Sequence, residues 1–231
     1  MSAPRIAVVV FPGSNDDHDA VWALKALGAD PVRVWHTEAE LPEVGAVVLP
    51  GGFSFGDYLR CGAIARFSPV MAAVSRYAAG GGRVLGICNG FQILCEAQLL
   101  PGVLRPNASL SFVCEDVPLT VERTDTAFTS RCAAGQTLTI PVKHGEGCWF
   151  ADADLHAELE EQGQIVLRYA AGHNPNGAVG DVAGVVNADG NVFGLMPHPE
   201  HAVDPLLGSG DGALILASLV DAARLSTAAA V

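Results

Sequence analysis

Apolar residues in this chain come in short blocks whose period switches between strand-like and helix-like. Arg5 to Phe11 is a nearly continuous apolar, β-branched run, the pattern of a strand buried on both faces of a parallel sheet. Pro12-Gly13-Ser14-Asn15 breaks it, and Ser14 or Asn15 is placed to cap a helix running to about Leu27 and stopped by Gly28. Strands follow at Pro31 to Trp35 and Ala46 to Leu49, then a helix from about Pro69 to Ala79 that Gly80-Gly81-Gly82 ends. A further apolar run closes at Gly86-Ile87, and Phe91, Ile93, Leu94 and Ala97 give a helical period from Asn89 onward. This alternation predicts an α/β fold whose central sheet is mostly parallel and flanked by helices.

From Pro101 the texture changes to short β-rich segments: Leu110 to Cys114, Val117 to Val121 and Thr137 to Val142. These read as antiparallel strands added to the sheet. Asp152 caps a predicted helix to Gln162, Ile165 to Tyr169 is another strand, and Val182 to Val186 with Val192 to Met196 reads as a hairpin closed by Asn187 to Asn191. A last helix is expected from Gly212 to about Leu225. No repeat or linker divides the chain, so one domain is expected over 1–225, with a frayed tail at 226–231.

Composition narrows the function. Of 231 residues, half are apolar and 16% charged, which excludes disorder. A net charge of −12 argues against nucleic acid or an anionic membrane as partner. No apolar run approaches the ~18 residues of a membrane span. The six cysteines show no metal-ligand spacing and no secretory signal precedes them, so free thiols in a reducing cytoplasm are expected, with no metal. Asp16, Asp17 and Asp19 fall in a first helical turn, where they complement the dipole and take up solvent.

Two stretches carry chemistry. Gly86-Ile87-Cys88-Asn89-Gly90 matches the G-x-nucleophile-x-G elbow with sulfur in place of oxygen. Glycines two residues either side relieve the crowding of a sharp strand-to-helix turn, and the helix starting at Asn89 aims free N–H groups at the sulfur. Met196-Pro197-His198-Pro199-Glu200 follows the final predicted strand. The prolines should hold this segment extended, with His198 and Glu200 on one side: an imidazole to take a thiol proton, and a carboxylate to fix its tautomer. Gly51-Gly52, directly after a central strand, reads by itself as a plain turn.

Together G-I-C-N-G-F-Q and M-P-H-P-E resemble the class I, or triad, glutamine amidotransferases, which have a flavodoxin-like α/β fold. The likeness covers nearly the whole chain and is nearest to the branch serving purine biosynthesis, on Phe11 to Asn15, Pro50 to Gly62, His144-Gly145-Glu146-Gly147 and Asn174 to Gly177. The chain departs from the family at Cys148-Trp149 and at His201, where arginine is common. The resemblance implies glutamine as substrate, Cys88 as nucleophile, His198 as proton shuttle and Glu200 as its orienting acid. It further implies oxyanion donors from Gly52 or Phe53 and from Asn89, a substrate-holding Gln92, and a partner-facing loop shaped by His144 and Glu146. The ammonia would pass to a larger ATP-dependent synthetase subunit, with a small third subunit in the complex. This chain has no G-x-x-x-x-G-K-[ST] loop, so ATP and Mg are expected on the synthetase and no cofactor here. A glycine-rich oxyanion loop from Pro50 to Tyr58 is expected to flip between states under partner control. The alternatives are a glutaminase for a different synthetase, or a thiol sensor with an elbow cysteine.

Overall fold

The computed structural model describes residues 3–229, with the side chains of 226–229 left aside. The parallel half is built from β1 (Arg5–Val10), β2 (Asp30–Trp35), β3 (Ala46–Leu49) and β4 (Arg83–Ile87), joined through α1 (Asp17–Ala26) and α2 (Pro69–Ala79). Helix α3 (Asn89–Glu96) leaves the end of β4, as its periodicity predicts. The second half holds β5 (Val103–Arg105), β6 (Val113–Val121), β7 (Thr137–His144), β8 (Cys148–Phe150), α4 (Ala153–Glu161), β9 (Ile165–Tyr169), β10 (Val182–Val186), β11 (Val192–Leu195) and α5 (Gly212–Ala229).

Nine strands form one sheet in the order β2-β1-β3-β4-β11-β10-β9-β6-β7, while β5 and β8 pair separately. The first five in that order run parallel and the remaining pairings are antiparallel, so the sheet divides evenly between the two modes. The last strand of the chain, β11, is inserted between β4 and β10. Registers Leu49 with Gly86 and Ile87 with Leu195 bring the carboxyl ends of β3, β4 and β11 to one edge, and Cys88 N–H donates to the Leu195 carbonyl at 2.8 Å. Loops at the carboxyl ends of parallel strands are where such sheets build sites. The strands are buried on both faces there, with Val47, Val48, Val84, Leu85 and Phe193 inaccessible to solvent.

Several local expectations are corrected. Leu110 to Cys114 is not a strand: Leu110 has φ 54°, Leu110 and Phe112 are exposed, and β6 starts only at Val113, then runs unbroken through what read as two strands. Neither Ser14 nor Asn15 caps α1; Asp16 precedes it without a side-chain cap, and Ser14 Oγ accepts the Phe11 N–H instead. The segment after β11 is not extended throughout, because Pro199–His201 forms a 3-10 turn, with proline at a first helical position that needs no N–H. Helix α5 continues past Leu225 to Ala229, and residues 230 and 231 of the expected tail lie outside those described. Among the described residues no helix is long and apolar enough to cross a membrane.

Candidate active site

Cys88 sits on the turn between β4 and α3 with φ 49° and ψ −104°, a strained backbone for a side-chain-bearing residue. The flanking glycines are required by space. A Cβ on Gly90 would lie 2.0 Å from the Leu49 carbonyl oxygen, and one on Gly86 would lie 2.8 Å from Gly90 backbone. The thiol is buried, and its sulfur is 3.8 Å from the Lys143 carbonyl at the end of β7. It lines a cavity of about 150 Å³ with Gly52, Phe53, Asp57, Cys61, Gln92, Phe112, Lys143, His144, Gly145 and Glu146.

His198 and Glu200 are both buried, and Nδ1 of the imidazole is 2.6 Å from Oε1 of Glu200. The 3-10 turn, rather than an extended strand, brings the two together. Burial opposes charge on His198, but the Glu200 carboxylate and the Cys88 sulfur outweigh it and push the imidazole up to about 10. The His198 backbone N–H donates to the Pro141 carbonyl at 2.8 Å, which pins this residue to β7.

Asp16 is the residue that sequence reasoning misplaced. It is buried, not solvated. Its Oδ2 is 3.6 Å from His198 Nδ1, its Oδ1 is 2.5 Å from Lys143 Nζ, and His201 Nε2 lies 3.5 Å from Oδ1. Burial alone would raise this carboxyl; His201, the charge on His198 and Lys143 hold it well below the usual carboxylate range. The Asp16 N–H also donates to the Gly51 carbonyl, and a Cβ on Gly51 would strike both Asp16 Oδ2 and the His198 ring. No local spacing announces this contact, since Asp16 and Lys143 are 127 positions apart. Asp17 is buried too and pairs with Arg33 at 2.9 Å.

The loop after β3 is stitched down on both sides. Phe53 N–H donates to the Gly13 carbonyl at 2.8 Å, Phe55 N–H to Pro12 at 2.7 Å, and Ser54 N–H to Asn89 Oδ1 at 3.2 Å. The Phe53 N–H is therefore committed to Gly13, whereas the Gly52 N–H has no partner among the described residues, and Gly52 lines the cavity. Gly52 has φ 134°, and a Cβ there would meet Gly13 and Asn15 backbone within 2.6 Å. A free glycine hinge is not what the sequence built. Asn89 passes a hydrogen bond from Nδ2 to Gln92 Oε1 (2.9 Å), and Gln92 Nε2 donates to the Glu146 carbonyl at 2.7 Å. Gln92 thus ties the elbow helix to the His144–Gly147 loop at the cavity wall.

His144 is a buried brace. Nδ1 lies 3.1 Å from Asn107 Oδ1 and Nε2 lies 3.4 Å from Asn176 Nδ2. Burial, then the charge on His198, pull it down to about 4, so it stays neutral. Cys148, behind the same loop, donates its thiol to the Gly177 carbonyl at 3.2 Å. Two thiols line the cavity, but burial and the carboxylates of Asp57 and Glu146 push Cys61 far above the ordinary thiol range. All six cysteines are unpaired.

A family model for the CobB/CobQ-like glutamine amidotransferase domain matches residues 3–209. The chain is similar to proteins named phosphoribosylformylglycinamidine synthase subunit PurQ. That of Rubrobacter xylanophilus is 57% identical, over 96% of this chain and 100% of the relative. That of Salinibacter ruber is 56% identical, over 96% and 97%. Among solved structures, one described as PurLQS from Thermotoga maritima contains a chain that superposes with a TM-score of 0.86 at 42% identity, over 95% of this chain and 98% of that one. The glutaminase domain of Trypanosoma brucei CTPS, solved with acivicin, shares the fold at a TM-score of 0.63 and 14% identity, over 96% and 94%.

Proposed function

Because this chain belongs to the CobB/CobQ-like glutamine amidotransferase domain family, we propose that it is the glutaminase subunit of phosphoribosylformylglycinamidine synthase. One observation carries the chemistry: Cys88, at an elbow open to a cavity, interacts with a buried His198–Glu200 pair carried by the turn after β11, far along the chain. The Cys88 sulfur attacks the γ-amide carbon of glutamine while His198 holds the proton. The oxyanion that forms is met by two preorganised donors, the N–H of Gly52 on the loop after β3 and the N–H of Asn89 at the head of α3. His198 returns the proton to the amide nitrogen, the C–N bond breaks, and ammonia leaves a γ-glutamyl thioester. Water then adds to the thioester carbonyl as His198 takes its proton, and collapse releases glutamate and restores the thiol. Glu200 keeps the imidazole in the donating orientation throughout, and Gln92 fixes the wall against which glutamine lies.

The ammonia is consumed by a larger synthetase subunit that binds ATP and Mg, with a small third subunit completing the assembly. The identity of more than half of all positions with the PurQ subunits, and the superposition on a chain of PurLQS, support this partner set. A purine-biosynthetic role and six unpaired cysteines support a cytoplasmic location. The test is Cys88→Ser in the reconstituted complex. Amination from glutamine should vanish while amination from added ammonium salt persists, and a glutamine-mimicking electrophile should label Cys88 but not Cys61 in the parent chain. Loss of the ammonium-dependent reaction as well, or equal labelling of both thiols, would overturn the assignment of Cys88.

A further inference from the structure

We infer that Asp16, His198, Glu200 and His201 form a site for a borderline divalent cation, Zn²⁺ above all, and that its binding switches off glutamine hydrolysis by capturing the His198 imidazole. The four side chains each present one ligand atom, and these atoms lie within 4.8 Å of one another. A tetrahedral zinc with bonds of ~2.0–2.1 Å places its ligand atoms about 3.3–3.4 Å apart. The observed spacings are 3.6 Å from His198 Nδ1 to Asp16 Oδ2 and 3.6 Å from His201 Nε2 to Glu200 Oε1, while the other Asp16 oxygen, Oδ1, lies 3.5 Å from His201 Nε2. The His198–Glu200 pair is tighter, at 2.6 Å, because a proton occupies it. A cation that takes the place of this proton spreads the pair by less than an ångström, to about the tetrahedral separation.

A second observation points the same way. Glu200 is 1% exposed, yet its Oε2 has no hydrogen-bond partner, and neither has His201 Nε2. Buried acceptors without donors are rare in folded proteins. A cation held between the Glu200 carboxylate and His201 gives His201 Nε2 a partner. A separate cavity of about 380 Å³ opens on His198 and His201 from the side of Cys114, Lys143, Leu207 and Ser209, giving a path that does not pass Cys88. Two carboxylates balance a dication, and two imidazoles select zinc over Mg²⁺, which prefers six oxygens. Lys143 holds Asp16 Oδ1 but is a third exposed, so it can remain on that oxygen or swing to solvent. His201 is the ligand that a substitution can remove cleanly, since an arginine in its place cannot ligate.

Binding stands apart from the glutaminase reading, whereas the switch-off rests on it, so the two are measured separately. Zn²⁺ alone is titrated by calorimetry into the full chain carrying Cys88→Ala, with and without His201→Arg. One equivalent should bind to Cys88→Ala, unaffected by millimolar Mg²⁺, and His201→Arg should weaken it at least tenfold. If His201→Arg fails to fold, His201→Gln serves. In the assembled complex, chelator-buffered zinc should inhibit glutamine hydrolysis reversibly. The His201→Arg complex should keep its basal turnover and need at least tenfold more zinc. Equal zinc affinity with and without His201, or loss of binding in Cys88→Ala, would overturn the site, and binding without inhibition would overturn the switch. If the chain hydrolyses no glutamine, calorimetry still decides the site.

Discussion

Strain at Cys88 separates what this residue does for chemistry from what it costs the fold. A positive φ at a residue with a side chain stores about 1–3 kcal/mol. Cys88→Gly should therefore be more stable than Cys88→Ala by about 1–3 kcal/mol in denaturant unfolding, the reverse of the usual order, and equal stabilities would mean that the elbow is relaxed. His144 gives a pH signature. Above about pH 6.5 the folded and unfolded chains both hold it neutral. Below that the unfolded chain takes up a proton that the fold refuses until about pH 4, so stability falls through this window, by up to about 3 kcal/mol. His144→Gln should flatten that slope in urea unfolding between pH 7 and 4.5, whatever its effect at pH 7. His198, raised to about 10, contributes its own pH dependence above 6.5 and leaves the acid window clear. At this scale the elbow turn at Cys88 and the pairing of His198 with Glu200 were legible, because Gly86, Gly90 and the paired prolines mark backbone constraints that only certain residues meet. Asp16 was not, since a carboxylate in a first helical turn looks the same whether solvent or a distant histidine faces it.

Among the elements, the ends of β3, β4, β11 and α3 were readable from period and punctuation, and the stretch before β6 was not. Leu110 and Phe112 form an apolar run that satisfies a strand pattern, but they lie on the surface beside the cavity. Phe53, Tyr58 and Leu59 are exposed on the loop after β3, and the rings of Phe53 and Phe112 stand 6.4 Å apart. Periodicity assumes that apolar residues face a core, and it fails where they face a partner. Phe53 and Phe112 line the cavity, and under the proposed function the exposed apolar side chains around them form the surface suited to docking the synthetase. Replacing Leu59 and Leu110, 88% and 83% exposed, by Asp should weaken assembly at least tenfold, measured by sedimentation or calorimetry. Thermal unfolding of the free chain should stay unchanged. Unaltered assembly would place the docking surface elsewhere.

Across the whole molecule, the class of fold was legible, since alternating blocks dictate parallel pairing and later short blocks dictate antiparallel pairing. The neighbour relations were not. Nothing in the sequence says that β11 lies between β4 and β10. That insertion has a consequence for how the protein is made. Residues 88 and 198 are 110 positions apart, which at ~5–20 residues per second is on the order of ten seconds of translation. During that interval a ribosome-bound chain carries the thiol without its base, and β4 is an unpaired sheet edge open to chaperones or to other nascent chains. Nascent chains arrested with residue 187 outside the exit tunnel should be inert toward glutamine and toward glutamine-mimicking electrophiles. Chains arrested with residue 211 outside should react with the electrophile. Under the proposed function, the growing chain therefore stays inert until the turn after β11 has left the ribosome.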